Sequence, residues 1–484
     1  MKSVKKISFL LCISFALVFA TGFAPELRAA EEKKEEAPPK ISNDKYDDIA
    51  LFGRVINFIE KQYVEKVKTR DLVYGAIKGM LDTLDPHSNF MPPEIYNQLR
   101  SDTSGKFGGL GLEVWVNRDG ILTVVNPMEG TPAWSAGIKS GDKIMRINGD
   151  PTKGMSLVEA LSKMRGDPGS KITFSIQRDG VKGLLEFKVK RAIIDIKSVK
   201  SEMLADHVGY IKLNHFQEKS ASEMKSSLVR MEEKGKLKGL ILDLRNNPGG
   251  LLDQAVEVAN IFIDSGVIVS TIGRDKQDKD VKSAKSGIAR TDLPLMVLVN
   301  GNTASAAEIV AGAIKDHKRG ILLGTRTFGK GSVQTVIPLA EDVGLKLTIA
   351  RYYTPNGTSI QAKGIEPDII LDELDAESYK KLRKKARNVM READLKNHFD
   401  NEGDDRKLGE KESSEEDVAE KAASKDELPK PTEPKDDYQV QQTLNYMKSF
   451  EIFRENASAS GKVLSATDAG PAATPKAKKK SKTK

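Results

Sequence analysis

The segment "PLMVLVNGNTASAAEIVAGAIKDH", residues 294–317, decides the fold of the central part of the chain. It begins with an uninterrupted apolar run, continues through a polar loop and ends with apolar residues at helical spacing. Strands that are apolar on both faces are typical of sheets covered by helices on either side. We therefore predict a strand, a loop and a helix here, with Ser305 close to the start of the helix.

The same alternation extends upstream and downstream of this segment. Apolar runs and amphipathic stretches follow one another in "HVGYIKL", "SASEMKSSLVRMEEKG", "LKGLILDLRNNPGG" and "LLDQAVEVANIFI". After residue 340, "VGLKLTIARYYTPNG" adds strands that we expect to close the same layer. Together these patterns predict an α/β fold with a layered core over residues 192–375.

Residues 104–191 have a different pattern, in which short strands are joined by polar turns and interrupted by two helices. The segments are "GLGLEVWV", "GILTVVN", "TPAWSAGIKSGDKIMRING", "SLVEALSKMRG", "KITFSIQRDG" and "LLEFKVKR". Their order predicts a compact, partly open barrel inserted ahead of the core. A helical segment over residues 43–103 precedes it. Its first helix repeats apolar residues about one turn apart, at Ile49, Phe52, Ile56 and Ile59.

Residues 1–30 have the pattern of a secretory signal peptide. Lysines come first, the apolar run "ISFLLCISFALVFA" follows, and small residues precede a charged stretch. We expect an exported or periplasmic protein, associated with the membrane if the peptide is not cleaved. The single cysteine, Cys12, lies in the apolar run, so the mature chain has no thiol. This excludes cysteine enzymes.

The chain beyond the core changes in composition. We predict a helix followed by a charged, disordered linker over residues 376–437. A further helix is predicted over residues 438–456, and a disordered lysine-rich tail over residues 457–484. Because lysines in this tail supply most of the net charge of +8, no face suited to nucleic acid is expected. A helix beyond a linker usually docks, and with the N-terminal helices it predicts a homodimer.

Ser305, in "NTASAAE", lies where a helix N-terminus offers free N–H groups that stabilise an anion. The alternative is a helix cap, a role that Thr303 is also able to fill. A nucleophilic serine needs a base, and His317 lies about 18 Å along the same predicted helix, out of reach. His215 remains an alternative base, although no aspartate pattern supports it. Metal-binding patterns are absent from the sequence, so we expect neither a metal nor a cofactor.

Lys330, in "GTRTFGKGSVQT", lies between two glycines. Lysine acts as a base only when neutral, and burial lowers its pKa toward that state. Glycines allow close backbone approach, and Gln334 can orient the amine without restoring its charge. Four apolar neighbours are expected to exclude water: Phe328, Val333, Val336 and Ile337. The alternative is a flexible turn with a solvated lysine, and spacing alone leaves both interpretations open.

Several motifs occur in one order along the chain: "GLGLEV", "SAGIKSGDKI", "DLRNNPGG", "NGNTASAAEI", "GTRTFGKGSVQTV" and "YYTPNGTSIQAKGIEPDI". Through them, the chain over residues 43–375 resembles the carboxyl-terminal processing proteases, the tail-specific serine peptidases. The resemblance implies a core like that of Clp-type peptidases and crotonases, and a PDZ domain over residues 104–191. It also implies proteolysis by Ser305 as nucleophile, Lys330 as base and Gln334 as the residue that orients the lysine.

The resemblance gives further residues a role. In the "NPGG" turn, Gly249 and Gly250 would form an oxyanion hole with the N–H of Ala306. A PDZ domain binds a peptide as an added strand and holds its carboxylate in a loop of N–H groups, here Gly109, Leu110, Gly111 and Leu112. The expected partners are protein or peptide substrates with free C-termini, and an adaptor protein.

Four interpretations remain to be weighed. Arg165 matches a position that senses substrate and gates the active site, whereas the alternative is a solvated arginine. Asp243 and Arg245 are expected to pair structurally and not to react. A PDZ adaptor or chaperone with an inactive core is the alternative function, and the intact Ser, Lys and Gln set argues against it. A crotonase-like acyl-CoA enzyme fits neither the export pattern nor the PDZ segment.

Overall fold

The computed structural model describes residues 45–117, 120–372, 390–395, 398 and 433–459. The predicted signal peptide, the predicted helix after residue 376, most of the predicted linker and the tail beyond residue 459 lie outside the described residues. In the described part of the chain, no helix combines the length and the apolar composition needed to span a bilayer. The chain divides into one unit ending at Leu72 and a second beginning at Val73.

The first unit contains α1 (Lys45–Gln62) and the beginning of α2 (Thr69–Asp82). Acidic residues lie in the first turn of α1, where the positive end of the helix dipole favours them. The predicted apolar repeat falls on this helix, yet none of its residues is buried. Ile49 and Phe52 are both exposed. Among the described residues, this helix therefore leaves part of its apolar face exposed, while Ile56 and Ile59 are half-buried.

The second unit continues from α2 into β1 (Asn89–Met91), α3 (Pro93–Ser104) and β2 (Lys106–Gly109). Helix α3 starts at a proline, whose missing N–H costs nothing in the first turn. It ends at Gly105, which has a φ of 72°, a conformation that glycine adopts without steric cost. These elements lead the chain into the PDZ-like segment.

The PDZ-like segment contains β3 (Leu112–Val116), β4 (Leu122–Pro127), α4 (Pro132–Ser135), β5 (Lys143–Ile147), β6 (Asp150–Pro151), α5 (Leu157–Met164), β7 (Lys171–Gln177) and β8 (Leu185–Lys190). Its strands form an antiparallel sheet in the order β3-β4-β5-β7-β8, with β6 paired to β5. It has its own apolar core, in which Val124, Ile144 and Phe174 are fully buried. A further strand, β9 (Ala192–Asp195), pairs with β2 and joins the two ends of the segment. The observed order of strands and helices is the predicted one except for the short strand β6, which the sequence analysis did not predict.

The first sheet of the core contains β10 (Val199–Met203), β11 (Val208–Leu213), β12 (Gly239–Asp243), β15 (Leu295–Val299), β16 (Ile321–Gly324) and β19 (Ile369–Ile370). The strands lie in that order and are parallel except for β10. Every residue of β12 and β15 is buried, as their uninterrupted apolar sequences predict. The layered α/β core is thereby confirmed.

Helices cover both faces of this sheet. On one face lie α6 (Ser220–Glu232), α7 (Leu252–Asn260) and α8 (Ala306–Asp316). On the other lies α9 (Tyr438–Ala459), whose Val440, Leu444 and Met447 are buried against the strands. The predicted C-terminal helix is present, and in the single chain it docks on its own core.

Residues just before α9 are also ordered, although the predicted linker extends to residue 437. A 3₁₀ helix spans Pro434–Asp436. Arg245 Nη1 donates to Asp437 Oδ1 at 3.0 Å, and its other nitrogens donate to both oxygens of Asp243. The expected pairing of Asp243 with Arg245 is confirmed. The linker prediction is wrong at its end, because this buried guanidinium also binds the Asp437 carboxylate.

A second, antiparallel sheet contains β13 (Val267–Ile272), β14 (Lys279–Ser283), β17 (Ser332–Ala340), β18 (Val343–Tyr353) and β1. The expectation that β18 closes the first layer is wrong, since it pairs with β1, β13 and β17. Most of its residues are only half-buried, as in an antiparallel sheet with one face on the core. The register of β17 and β18 places Gln334 opposite Thr348.

Candidate active site

Ser305 lies at the end of the turn that connects β15 to α8. The Asn300 N–H donates to Thr303 Oγ1 at 2.9 Å, and that hydroxyl donates to the Leu244 carbonyl at 2.8 Å. Thr303 therefore closes the turn and does not cap the helix, contrary to the alternative drawn from the sequence. The N-cap position belongs to Ser305, which is 8% exposed.

The backbone of Ser305 is strained. Its φ is 56° and its ψ is −117°, a region that costs a non-glycine residue about 1–3 kcal/mol. Strain of this kind recurs at nucleophiles held on sharp strand-to-helix turns, where it exposes the side-chain oxygen. Here it places Ser305 at the positive end of α8, whose residues Ala306 through Ile314 are all buried.

The "NPGG" turn lies directly against Ser305. A Cβ on Gly249 would be 2.8 Å from Ser305 Cβ and 3.0 Å from the Ala306 nitrogen, so only glycine fits. The Gly249 N–H donates to Asn247 Oδ1 at 2.9 Å. Within the part of the chain that the structure describes, the N–H groups of Gly250 and Ala306 have no hydrogen-bond acceptor. Of the three predicted oxyanion-hole donors, Gly249 is thus engaged and the other two are available.

Lys330 lies in the irregular loop between β16 and β17. Gly329 has a φ of 99°, and a Cβ on Gly331 would be 2.3 Å from the Gln361 nitrogen. One glycine is required by its backbone conformation and the other by close packing. The sequence predicted the close approach correctly, and the loop is packed against residues 361–364.

The amine of Lys330 is largely withdrawn from water. Burial lowers the pKa of Lys330 to about 8, and the nearby charge of Lys346 contributes in the same direction. Lys330 Nζ donates to Gln334 Oε1, and Gln334 Nε2 donates to Ser332 Oγ at 2.9 Å. The expected apolar shield is partly wrong, because two of its predicted members are exposed, Val336 and Ile337.

Ser305, Lys330 and Gln334 line one cleft of about 930 Å³, together with residues of α3 and of the segment after β11. His215 lines it as well, and burial lowers the pKa of His215. No hydrogen bond joins its ring to Ser305 in the described structure. His317 follows the end of α8 and its Nε2 lies 2.7 Å from the Val267 carbonyl, so it is out of reach as predicted.

Glu308 is a site residue that the sequence reasoning missed. This fully buried carboxylate accepts hydrogen bonds from the backbone N–H groups of Ser305 at 2.8 Å, Gly329 at 2.8 Å and Lys330 at 2.9 Å. The Thr327 hydroxyl donates a fourth. Burial raises the pKa of Glu308 to about 7, against the effect of these donors. The spacing "SAAE", typical of a capping box, was the available signal.

The predicted carboxylate-binding loop lies at the edge of the PDZ-like sheet. The carbonyls of Leu110 and Gly111 accept bonds from Ala133 and Met128, whereas their N–H groups have no acceptor among the described residues. Gly111 has a φ of 74°, and a Cβ there would be 2.4 Å from Thr131. The other two predicted residues begin or end strands: Gly109 and Leu112.

Arg165 lies beside this loop and does not line the cleft that contains Ser305 and Lys330. Its guanidinium stacks on the ring of Phe107, 4.9 Å from the centroid. Phe107 belongs to β2, the strand that leads into the loop. Stacking of this kind fixes the arginine by a cation–π contact. The gating role of Arg165 stays a prediction.

Family models match three parts of this chain. The model of peptidase family S41 matches residues 207–371, and the PDZ domain model matches residues 108–189. The model of the activating protease CtpB N-terminal domain matches residues 13–95. Among solved structures, the photosystem II D1 C-terminal processing protease is 33% identical, with a TM-score of 0.40, covering 66% of this chain and 86% of that chain.

Curated relatives extend over most of the chain. A carboxy-terminal-processing protease of Bartonella bacilliformis is 42% identical over 406 residues, which are 83% of this chain and 89% of that protein. A carboxyl-terminal-processing protease of Synechocystis is 35% identical over 366 residues, 74% of this chain and 85% of that protein. Identity at this level, over both the PDZ segment and the layered core, is sufficient to assign the chain to a protein family. It belongs to peptidase family S41 and is a carboxy-terminal processing serine protease with a PDZ domain.

Proposed function

We propose that Ser305 and Lys330 form the catalytic dyad, with Gln334 orienting the lysine. The observation that carries this proposal is the state of Lys330. Its amine donates to Gln334, a neutral partner, in the cleft that also contains Ser305. With its pKa lowered to about 8, a substantial fraction of the amine is neutral at mildly alkaline pH and able to accept a proton.

The reaction proceeds through an acyl-enzyme. Ser305 Oγ attacks the carbonyl carbon of the scissile peptide bond while its proton passes to Lys330 Nζ. The C–N bond then breaks, and Lys330 returns the proton to the leaving amine. Water, deprotonated by the same lysine, hydrolyses the ester and restores the serine. The N–H groups of Gly250 and Ala306 would bind the oxyanion, since that of Gly249 is engaged by Asn247.

The substrate is a protein held by its C-terminus in the PDZ domain. The N–H groups of Leu110 and Gly111, which have no acceptor among the described residues, are suited to the terminal carboxylate. Charge-assisted hydrogen bonds of this kind are roughly twice as strong as neutral ones. Replacing the carboxylate of a peptide substrate by an amide should therefore lower kcat/KM by about tenfold. An unchanged kcat/KM would contradict C-terminal recognition.

Arg165 is proposed to gate the active site when the PDZ domain is occupied. We expect Arg165→Ala to lower kcat several-fold, with an unchanged affinity for a C-terminal peptide measured by calorimetry. A substitution at an exposed arginine outside this region, Arg274→Ala, is the matched control. Weakened peptide binding with an unchanged kcat would show that the arginine only supports binding.

The sequence pattern and the exposed face of α1 support a proposal for the location and the partners of the protein. The pattern of residues 1–30 supports export, to a periplasm or beyond the membrane. The uncovered apolar face of α1 supports a homodimer, and a free adaptor protein would be a further partner. Mass spectrometry of the protein recovered from the exporting cell tests cleavage, and light scattering of residues 43–484 tests the dimer.

Paired substitutions test the dyad. Ser305→Ala and Lys330→Ala should each reduce peptide cleavage by about a thousandfold or more, because both groups act in one step. Thermal melting should remain cooperative in both variants. A serine-reactive phosphonate should label the wild-type protein and not Ser305→Ala. Near-normal turnover of either variant would refute the dyad.

A further inference from the structure

The turn "DPHS", residues 85–88, connects α2 to β1 and has no part in the site described so far. Asp85 and Ser88 are buried there, and His87 is half-buried. Two chains of hydrogen bonds start in this turn, and both end on the loop that carries Lys330. Each chain runs through side chains far apart in the sequence.

The first chain starts at the Asp85 carboxylate. Its Oδ1 accepts the N–H groups of His87 at 2.8 Å and Ser88 at 2.9 Å, and its Oδ2 accepts the Ser88 hydroxyl at 2.6 Å. Oδ1 also accepts the Thr348 hydroxyl at 3.1 Å. The carboxylate is thus held by three bonds within its own turn, and it presents one acceptor to β18.

The Asp85 oxygen that accepts from Thr348 determines which groups donate and which accept in the remaining hydrogen bonds of this series. A hydroxyl has a single proton, so Thr348, donating to Asp85, can only accept from its other neighbour. That neighbour is Gln334 Nε2, at 3.2 Å. With its NH₂ group directed to Thr348 and Ser332, the amide of Gln334 must direct Oε1 to Lys330 Nζ. The orientation of the glutamine is therefore determined by Asp85.

The second chain starts at His87 and holds the main chain of the loop. His87 Nε2 lies 2.7 Å from Oε1 of Glu392, which is fully buried. Glu392 Oε1 accepts from Gln361 Nε2 at 2.9 Å, and Gln361 Oε1 accepts the Gly331 N–H at 2.9 Å. The Glu392 N–H also donates to the Phe328 carbonyl at 3.3 Å. The backbone is fixed on both sides of Lys330.

We propose that the 85–88 turn is the positioning element of the catalytic lysine. Asp85 fixes the lysine amine through Thr348 and Gln334, and His87 fixes the loop backbone through Glu392 and Gln361. The proposal rests on the proposed role of Lys330 as base. It concerns positioning, because neither Asp85 nor His87 lines the cleft that contains Ser305.

The turn also acts on the lysine by charge. Asp85, Glu392 and Glu308 raise the pKa of Lys330, whereas burial and Lys346 lower it. Neutralising Asp85 or Glu392 should therefore move the acid limb of the pH–rate profile to lower pH. Removing an uncharged residue of the hydrogen-bond series, such as Thr348, should lower kcat and leave the acid limb of the pH–rate profile where it is. Variants that remove a charge and variants that remove only a hydrogen bond are thus distinguished by the pH–rate profile.

Thr348→Val tests the first chain, because it removes the hydroxyl and keeps the shape. We expect kcat to fall about tenfold with KM changed less than twofold, and Thr348→Ser to recover most of the loss. Thr443→Val, which removes a buried hydroxyl within α9, is the matched control and should keep wild-type kcat. A wild-type kcat for Thr348→Val would overturn the first chain.

Asp85→Asn and Glu392→Gln test the charges in the full-length protein. In each, the midpoint of the acid limb of kcat/KM should fall by about half a pH unit. An altered melting temperature with an unmoved midpoint in both variants would reduce the turn to a structural role and overturn the proposal. Lys330→Ala is measured alongside. If it retains activity, the dyad itself fails; if it is inactive while Thr348→Val and Asp85→Asn match the wild type, only the positioning proposal fails.

Discussion

The loops that carry Ser305 and Lys330 are held in different ways. Ser305 ends a turn between a fully buried strand and a helix that is buried from Ala306 to Ile314, and backbone and hydroxyl hydrogen bonds to the end of the neighbouring strand β12 hold this turn. Lys330 lies in an irregular loop, held by Gln334, Gln361 and the carboxylates of distant segments. The serine is thus placed by secondary structure, and the lysine by a network of side chains.

The difference has a physical origin. A serine nucleophile needs an exact direction, which a strained turn and a helix N-terminus supply at low cost in residues. A lysine base needs a depressed pKa as well as a direction. Its environment must exclude water and still offer hydrogen bonds, and such surroundings are assembled from several segments. The two loops meet at Glu308, which binds the backbone of both.

Replacing Glu308 should have the largest effect on stability and activity. Glu308→Ala leaves three N–H groups and one hydroxyl without their acceptor in the interior. We expect a loss of about 3–5 kcal/mol in the free energy of unfolding and a fall of kcat/KM of at least a hundredfold, measured by denaturant titration and peptide cleavage. Glu308→Gln should be intermediate, since an amide retains one acceptor. Wild-type activity in Glu308→Ala would show that the two loops are held independently.

Substitutions at Gln334, with and without a charge, test whether the group that titrates is Lys330. In the wild type, kcat/KM should rise with pH and reach half its maximum near pH 8, the pKa of Lys330. Gln334→Glu places a carboxylate beside the amine and raises its pKa, so the midpoint should move up by about one unit. Gln334→Ala adds no charge and should lower kcat without that movement. A midpoint that is the same in all three proteins would mean that another group titrates.

The smallest effect expected is a gain in stability. The unfolded chain keeps Lys330 protonated up to its ordinary pKa of 10.5, while the folded protein releases the proton near pH 8. The unfolded state therefore binds more protons between these values, so stability rises with pH in that window and is lowest below it. Lys330→Met should raise the free energy of unfolding by about 1 kcal/mol at pH 7, after allowance for partial exposure. The gain should shrink by pH 10. A variant less stable than the wild type at pH 7 would contradict a desolvated amine.

The sequence indicates candidate site residues where the chemistry lies in a local motif. The neighbours of Ser305, Lys330 and Gln334 marked them as candidates, the family resemblance supplied their roles, and the glycines beside Lys330 agree with the close packing of that loop. The pairing of Gln334 with Thr348 and of Thr348 with Asp85 depends on strand register and on a contact 263 positions apart, which no pattern encodes. The second sheet was missed for a related reason, because an apolar strand has a similar composition in either layer.

The position of α9 has a consequence for how the protein is made. One face of the six-stranded sheet is covered by Val440, Leu444 and Met447, whose sulfur lies where a Cβ on Gly239 would clash. The last strand of that sheet ends at Ile370. During synthesis, the described strands of this sheet and the proposed catalytic residues leave the ribosome before the residues that cover this face are made. The nascent chain therefore exposes an apolar surface until α9 emerges, and during this interval a chaperone that binds apolar surface can hold it.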